Sequence, residues 1–210
     1  MKLFLRRMLA VCGMFAVAFA GSATIREVTR TSVDALGVAH ELNTGVFNGW
    51  SYGAYSSAEK HLDCTTFISA VMDTILTRQN IGYTAEMRRD VMIIHSFHDR
   101  NVIQEGPDPA DPRFAGVVYV IEKYDLGTRI TDMSQVRPGD FIQYWKQRSD
   151  GTWFGHASLV ESLDIDNIDN RYKAKIFGSH KSTDGIAVSD FELRLSGGDR
   201  LVYIGRIEGE

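Results

Sequence analysis

Asp63-Cys64-Thr65-Thr66-Phe67-Ile68-Ser69-Ala70-Val71-Met72 opens an apolar run that continues to Leu76. Its large apolar residues come in pairs, Phe67/Ile68, Val71/Met72 and Ile75/Leu76, the spacing that puts them on one face of a helix. The run predicts a buried helix from Cys64 to Leu76, with the cysteine at its N-terminal end. A thiol in that place has the positive end of the helix dipole beside it, which favours the thiolate.

On the N-terminal side, Thr24 to about Lys60 mixes a short amphipathic piece (Val28, Val33, Leu36) with a Gly/Asn/Ser/Tyr-rich loop, Asn43 to Ser57, suited to lining a site. On the C-terminal side, Thr84 is a cap for a second helix through about Phe97. Asp111-Pro112 supplies a capping carboxylate and a first-turn proline for a third, with Gly127 as its stop. Helices dominate the first 125 residues or so.

Beyond them the period changes. The turn Arg137-Pro138-Gly139-Asp140 precedes a strand, Phe141-Ile142-Gln143-Tyr144-Trp145, then a polar hairpin loop, Gln147 to Thr152, and a second strand from about Phe154 to Leu163. An acidic turn, Asp164 to Asn170, leads into a third strand, Tyr172 to His180; Gly185 to Val188 and Leu201 to Ile207 are shorter candidates. Helices first and antiparallel strands second describe an α+β domain with helices packed on a sheet.

The first two dozen residues read as a secretory signal: Lys2, Arg6 and Arg7, an almost wholly apolar stretch from Met8 to Ala20, then small residues. Cleavage after Ala20 and after Ala23 fit equally well, and we take 1–23 as signal and 24–210 as one domain. The apolar stretch of 13 residues is short of the roughly 20 that span a bilayer, and no later run approaches that length. Removal of the signal takes Cys12 and three cations, so 23 Lys+Arg fall to 20 against 27 Asp+Glu. That acidic balance, with scattered cations, argues against a nucleic-acid partner. It also leaves Cys64 as the one cysteine. An odd count in an exported chain calls for a reactive thiol, an intermolecular bridge or a buried hydrophobe as its explanation.

A nucleophilic thiol needs a base from elsewhere in the fold. His156, in Gly155-His156-Ala157-Ser158-Leu159-Val160, opens a strand directly after a hairpin. If that strand pairs antiparallel with Tyr172–His180, the start of one lies beside the end of the other and His156 and His180 become neighbours. His180 is then the third group that holds the base, with Ser179 and Asp184 as alternatives. Alternation puts Ile176, Gly178 and His180 on one face and Phe177 and Ser179 on the other, without saying which is inward.

These residues resemble the NlpC-type cysteine peptidases and amidases of bacterial cell walls, a circularly rearranged branch of the papain-like fold. Asp63-Cys64-Thr65-Thr66-Phe67 is similar to that family's Asp-Cys-Ser-Gly-Phe box. Val136-Arg137-Pro138-Gly139-Asp140-Phe141 is similar to its Pro-Gly-Asp turn before the first strand, and Gly155-His156-Ala157-Ser158-Leu159-Val160 to its Gly-His-Val-Gly strand. The resemblance covers roughly Gly49 to His180, about two thirds of the mature chain. It implies Cys64 as nucleophile, His156 as base, His180 as third member, and the backbone N–H of Cys64 in an oxyanion hole. Trp50-Ser51-Tyr52-Gly53 is the nearest match to the family's Tyr-x-x-Gly-Gly stretch, so Tyr52 or Trp50 takes that role. With Asp63 and Ser179 they are the expected substrate contacts. Thr66 in place of glycine and the incomplete tyrosine stretch mark a divergent member.

Structural roles suit the other candidates. His95 and His98 lie on or just after a helix rich in Met and Ile; His40 and His61 read as exposed, with His61 near enough to the thiol in sequence to touch substrate. Trp145 and Trp153 flank the first hairpin as packing residues. No compact zinc ligand set is visible. The acidic turn lacks the sixth-position glycine of a calcium loop and has Lys175 where the bidentate glutamate belongs. The expectation is an exported, periplasmic or secreted, thiol hydrolase. It cleaves amide bonds of peptidoglycan stem peptides with no cofactor or metal. A thiol acyltransferase or amidase on another acyl substrate, and a non-catalytic binding protein on the same scaffold, are the alternatives; oligomeric state is left open.

Overall fold

A computed structural model describes residues 31–92, 104–164, 172–194 and 196–209. The expected signal, residues 1–23, lies outside the described residues, as do His95, His98 and all but the first residue of the acidic turn. In chain order the described elements are β1 (Thr31–Ser32), α1 (Ala35–Thr44), β2 (Ser51–Tyr52), β3 (His61–Leu62), α2 (Cys64–Arg78), α3 (Ala85–Val91) and α4 (Val117–Lys123). They continue with β4 (Gly127–Ile130), β5 (Phe141–Gln147), β6 (Trp153–Asp164), β7 (Tyr172–His180), β8 (Gly185–Leu193), β9 (Ser196–Gly197) and β10 (Arg200–Gly209). The fold is mixed α+β, and among the described residues no helix is long and apolar enough to cross a membrane.

The main sheet runs β1-β10-β5-β6-β7-β8, with β4 and β9 also paired to β10, and its pairings are antiparallel. It curls. Tyr144 on β5 and Phe191 on β8 are separated by two strands, yet their ring centroids are 4.5 Å apart, whereas neighbouring strands alone stand ~4.8 Å apart. Arg200 on β10 likewise donates to the Glu192 carbonyl on β8 at 2.6 Å.

Alternation along the strands divides the sheet between two cores. One face carries Phe141, Trp145, Ala157, Leu159, Phe177 and Tyr203 and packs against the helices. The other carries Ile142, Tyr144, Val160, Ile176, Val202 and Ile204 and fills the inside of the curl. The face left open by the sequence pattern is thereby resolved: Phe177 looks toward the helices and Ile176 into the curl. Helix α2 is the central helix of the first core, with Phe67, Ile68, Val71, Met72 and Leu76 fully buried. Full burial of side chains of this size contributes roughly 1.5–3 kcal/mol each.

Two features fix the turn that leads into β5. The turn before β5 is closed by Asp140, whose carboxylate takes a two-point contact from Arg206 of β10 at 2.7 and 2.9 Å and the Arg137 amide at 2.9 Å. Gly139 in that turn has φ +89°, which a residue with a Cβ rarely adopts.

The third expected helix is corrected. Asp111 does cap, accepting the Arg113 amide at 3.0 Å, but it caps only a short 3-10 turn, Pro112–Ala115, and α4 starts afresh beyond it. Gly116 breaks the run with φ +53° and ψ −117°, and a Cβ there would sit 2.5 Å from Oε1 of Gln143. Gly127 opens β4 instead of stopping a helix. Helix α3 has Thr84 as its cap, accepting from Met87 at 3.1 Å, and ends at Val91; residues 93–97 of the expected helix are outside the described residues. β8 continues to Leu193, five residues beyond the expected end.

Candidate active site

The start of α2 is built by Asp63. In extended conformation, its carboxylate accepts the Thr66 amide at 2.8 Å and the Thr65 hydroxyl at 2.9 Å, the arrangement that satisfies first-turn donors of a helix. Cys64 comes next as the first helical residue and is 2% exposed.

The segment leading to it is pinned from the sheet. Ser179 of β7 is fully buried and donates to the Leu62 carbonyl at 2.9 Å. Leu62 itself lies beside Tyr52 in the small parallel pair β2–β3. The β7–β8 corner clamps the same loop: Asp184 accepts the Tyr52 amide at 3.3 Å. A Cβ on Gly185 would come within 2.6 Å of the Trp50 carbonyl oxygen, so glycine lets the two backbones meet.

The histidines come from the curl side of the sheet. His156 stands on β6 opposite Tyr144 of β5. The β6–β7 register of Leu159 with Phe177 and Val160 with Ile176, carried to the strand ends, sets His156 against His180. The two rings are 4.7 Å apart between centroids at 26°, a stacked arrangement, and Nε2 of His180 is 3.5 Å from the Ser189 hydroxyl. His180 is 5% exposed. Burial, and then the charge of a protonated His156, lowers its pKa to about 4, so near neutrality it is an uncharged ring. Nε2 of His156 is buried and has no hydrogen-bond partner among the described residues.

Cys64, His156 and His180 line one cleft of about 570 Å³, together with Tyr52 and Tyr144. Its rim brings Lys146, Arg148 and Lys181, a local excess of cations in an acidic chain. Burial, with the negative charges of Cys64 and Asp63 adding to it, pushes the Tyr52 phenol up to about 12. It therefore stays protonated beside the thiol, and a protonated phenol donates hydrogen bonds.

Of the four expected substrate contacts, Tyr52 lines this cleft. Trp50 packs edge-on to Phe47 at 5.0 Å and stacks on Tyr55 at 6.2 Å, Asp63 is occupied as the helix cap, and Ser179 holds Leu62. Asp184 holds the Tyr52 amide. His61 packs against Gly53, and His40 meets Glu161 at 3.0 Å. Trp145, whose indole N–H donates to the Phe114 carbonyl at 2.8 Å, and Trp153 both border the cleft. Tyr144 was missed by sequence reasoning. The signal was present: a hairpin loop centred on Asp150 pairs residue 144 with residue 156, on the same face. Among the described residues no group of three His, Cys, Asp or Glu side chains is placed to hold a metal ion.

No family model matches the chain, and no curated protein matches it.

Proposed function

We propose that this chain is an exported cysteine hydrolase with a papain-like, NlpC-type arrangement, cleaving amide bonds, with peptidoglycan stem peptides in the periplasm or outside the cell as its substrate. The observation that carries the reading is the convergence of Cys64, at the first residue of α2, with His156 and His180 in a single cleft. A helix N-terminus and an imidazole are the two influences that make a thiol nucleophilic. The resemblance around Asp63–Phe67, Val136–Phe141 and Gly155–Val160 supplies the substrate class.

In this reading Cys64 Sγ attacks the substrate carbonyl while His156 takes the thiol proton. The tetrahedral intermediate collapses to a thioester as His156 returns the proton to the departing amine, and water attacks the thioester with His156 again as base. The backbone N–H of Cys64 is one oxyanion donor. Neutral His180, stacked on His156, keeps the base from turning and keeps water from one of its faces.

The test is product analysis after incubating purified protein with cell-wall digests. New amine termini are expected with the wild type, and a loss of at least about 10³-fold in Cys64→Ala. Transfer of the acyl group to an added amine in place of water would make it an acyltransferase. Digests unchanged by wild type and Cys64→Ala alike would contradict the peptidoglycan reading.

A further inference from the structure

Tyr144 is a polar residue of the cleft that takes no part in the steps given above. Its ring is 8% exposed and held on three sides: by Phe191 at 4.5 Å, His156 at 5.3 Å and Phe154 at 6.3 Å between centroids. The strand register puts it directly across from His156, and it borders the cleft that Cys64 also borders. Among the described residues its hydroxyl makes no hydrogen bond. The buried indole of Trp145, next in the chain, is matched: it donates to the Phe114 carbonyl at 2.8 Å. A packed phenol that borders a cleft, with no partner for its hydroxyl among the described residues, is free to donate to an acceptor that enters the cleft.

We propose that the Tyr144 hydroxyl is a catalytic hydrogen-bond donor to the oxygen that becomes negative when an acyl group reacts at Cys64. This rests on the hydrolase reading and adds a residue to it. Tyr144 borders the cleft from β5 and Cys64 borders it from the start of α2, so in this reading the developing oxyanion takes one donor from each element. No proton is transferred: the phenol keeps its hydrogen while the C–O bond gains charge and then loses it on collapse to the thioester. Burial, and then the negative charges of Cys64 and Tyr52 against the pull of Arg200, hold the phenol well above its ordinary range, which keeps it a donor at every pH where the enzyme works.

The experiment uses Tyr144→Phe in the full chain, with p-nitrophenyl acetate as acyl donor and iodoacetamide as a separate probe of the thiol. Because the hydroxyl has no hydrogen-bond partner among the described residues, the variant is expected to melt at the wild-type temperature or slightly above it. Its kcat is expected to fall on the order of 100-fold, the usual loss for one oxyanion donor. KM should stay within about twofold, and Cys64 alkylation should keep the wild-type pH profile. An unchanged kcat, with Cys64→Ala inactive, overturns the role of Tyr144 and leaves the hydrolase standing. So does a loss matched by slower alkylation, which makes Tyr144 a residue that positions the thiol or its base. If wild type and Cys64→Ala hydrolyse the ester alike, the hydrolase reading falls and the role of Tyr144 with it. Site-specific difluorotyrosine at position 144, nearly the same in size but more acidic, gives a second reading: loss of activity at high pH should begin at lower pH than in wild type. An unmoved alkaline limb counts against the proposal.

Discussion

His180 shows what burial does to a single residue here. Its pKa is lowered from the usual 6.5 to about 4, by burial first and His156 second. In the unfolded chain this imidazole is protonated below about pH 6.5, while in the native state it resists protonation until about pH 4. Between those values the unfolded state binds more protons, so stability rises with pH in that window and is lost as pH falls through it. The loss should approach about 3 kcal/mol by pH 4. Urea titrations at several pH values should show this slope in wild type and a flatter one in His180→Gln; equal slopes would mean that His180 titrates as in a peptide. The partnership of His156 and His180 was legible from strand order alone, because antiparallel pairing through one turn sets the start of β6 beside the end of β7. The duties of Ser179 and Asp184 were not, since their partners, Leu62 and Tyr52, lie more than a hundred residues away in sequence.

Among the elements, α2 and the long strands were readable because their signals are local: paired apolar residues in the helix, and turn residues that bound β5, β6 and β7. The elements that escaped were those decided by a distant neighbour. Gly127 has the look of a helix stop, but its reason lies in β10, where a Cβ would sit 1.9 Å from the Arg206 carbonyl oxygen; it permits close backbone approach. Gly116 splits one expected helix in two because Gln143 of the sheet fills the space beside it. Gly127→Ala is accordingly expected to lower stability by at least about 2 kcal/mol, roughly 4–8 °C in melting temperature for a chain of this size. Gly82→Ala, with nothing within 4 Å of the added Cβ, should change stability by less than about 0.5 kcal/mol. Calorimetry of the two variants separates the cases: similar melting temperatures would contradict the role given to Gly127.

For the whole molecule, the candidate site is the seam between two cores. The helix layer delivers the thiol at the capped end of α2, and the curled sheet delivers His156, His180 and Tyr144 from its inner face. The α+β class and the order of helices before strands were visible in the sequence. The curl was not, since it depends on β8 and β10 meeting across the sheet, and neither strand's own pattern encodes that meeting. The central claim is that a histidine from one layer activates a cysteine from the other. The most direct measurement is the rate of Cys64 alkylation by iodoacetamide against pH, in wild type and in His156→Gln. The account predicts a wild-type thiol that reacts well below about pH 8, and a His156→Gln profile moved up toward the ordinary thiol pKa of about 8.5. Superimposable profiles for the two proteins would contradict it.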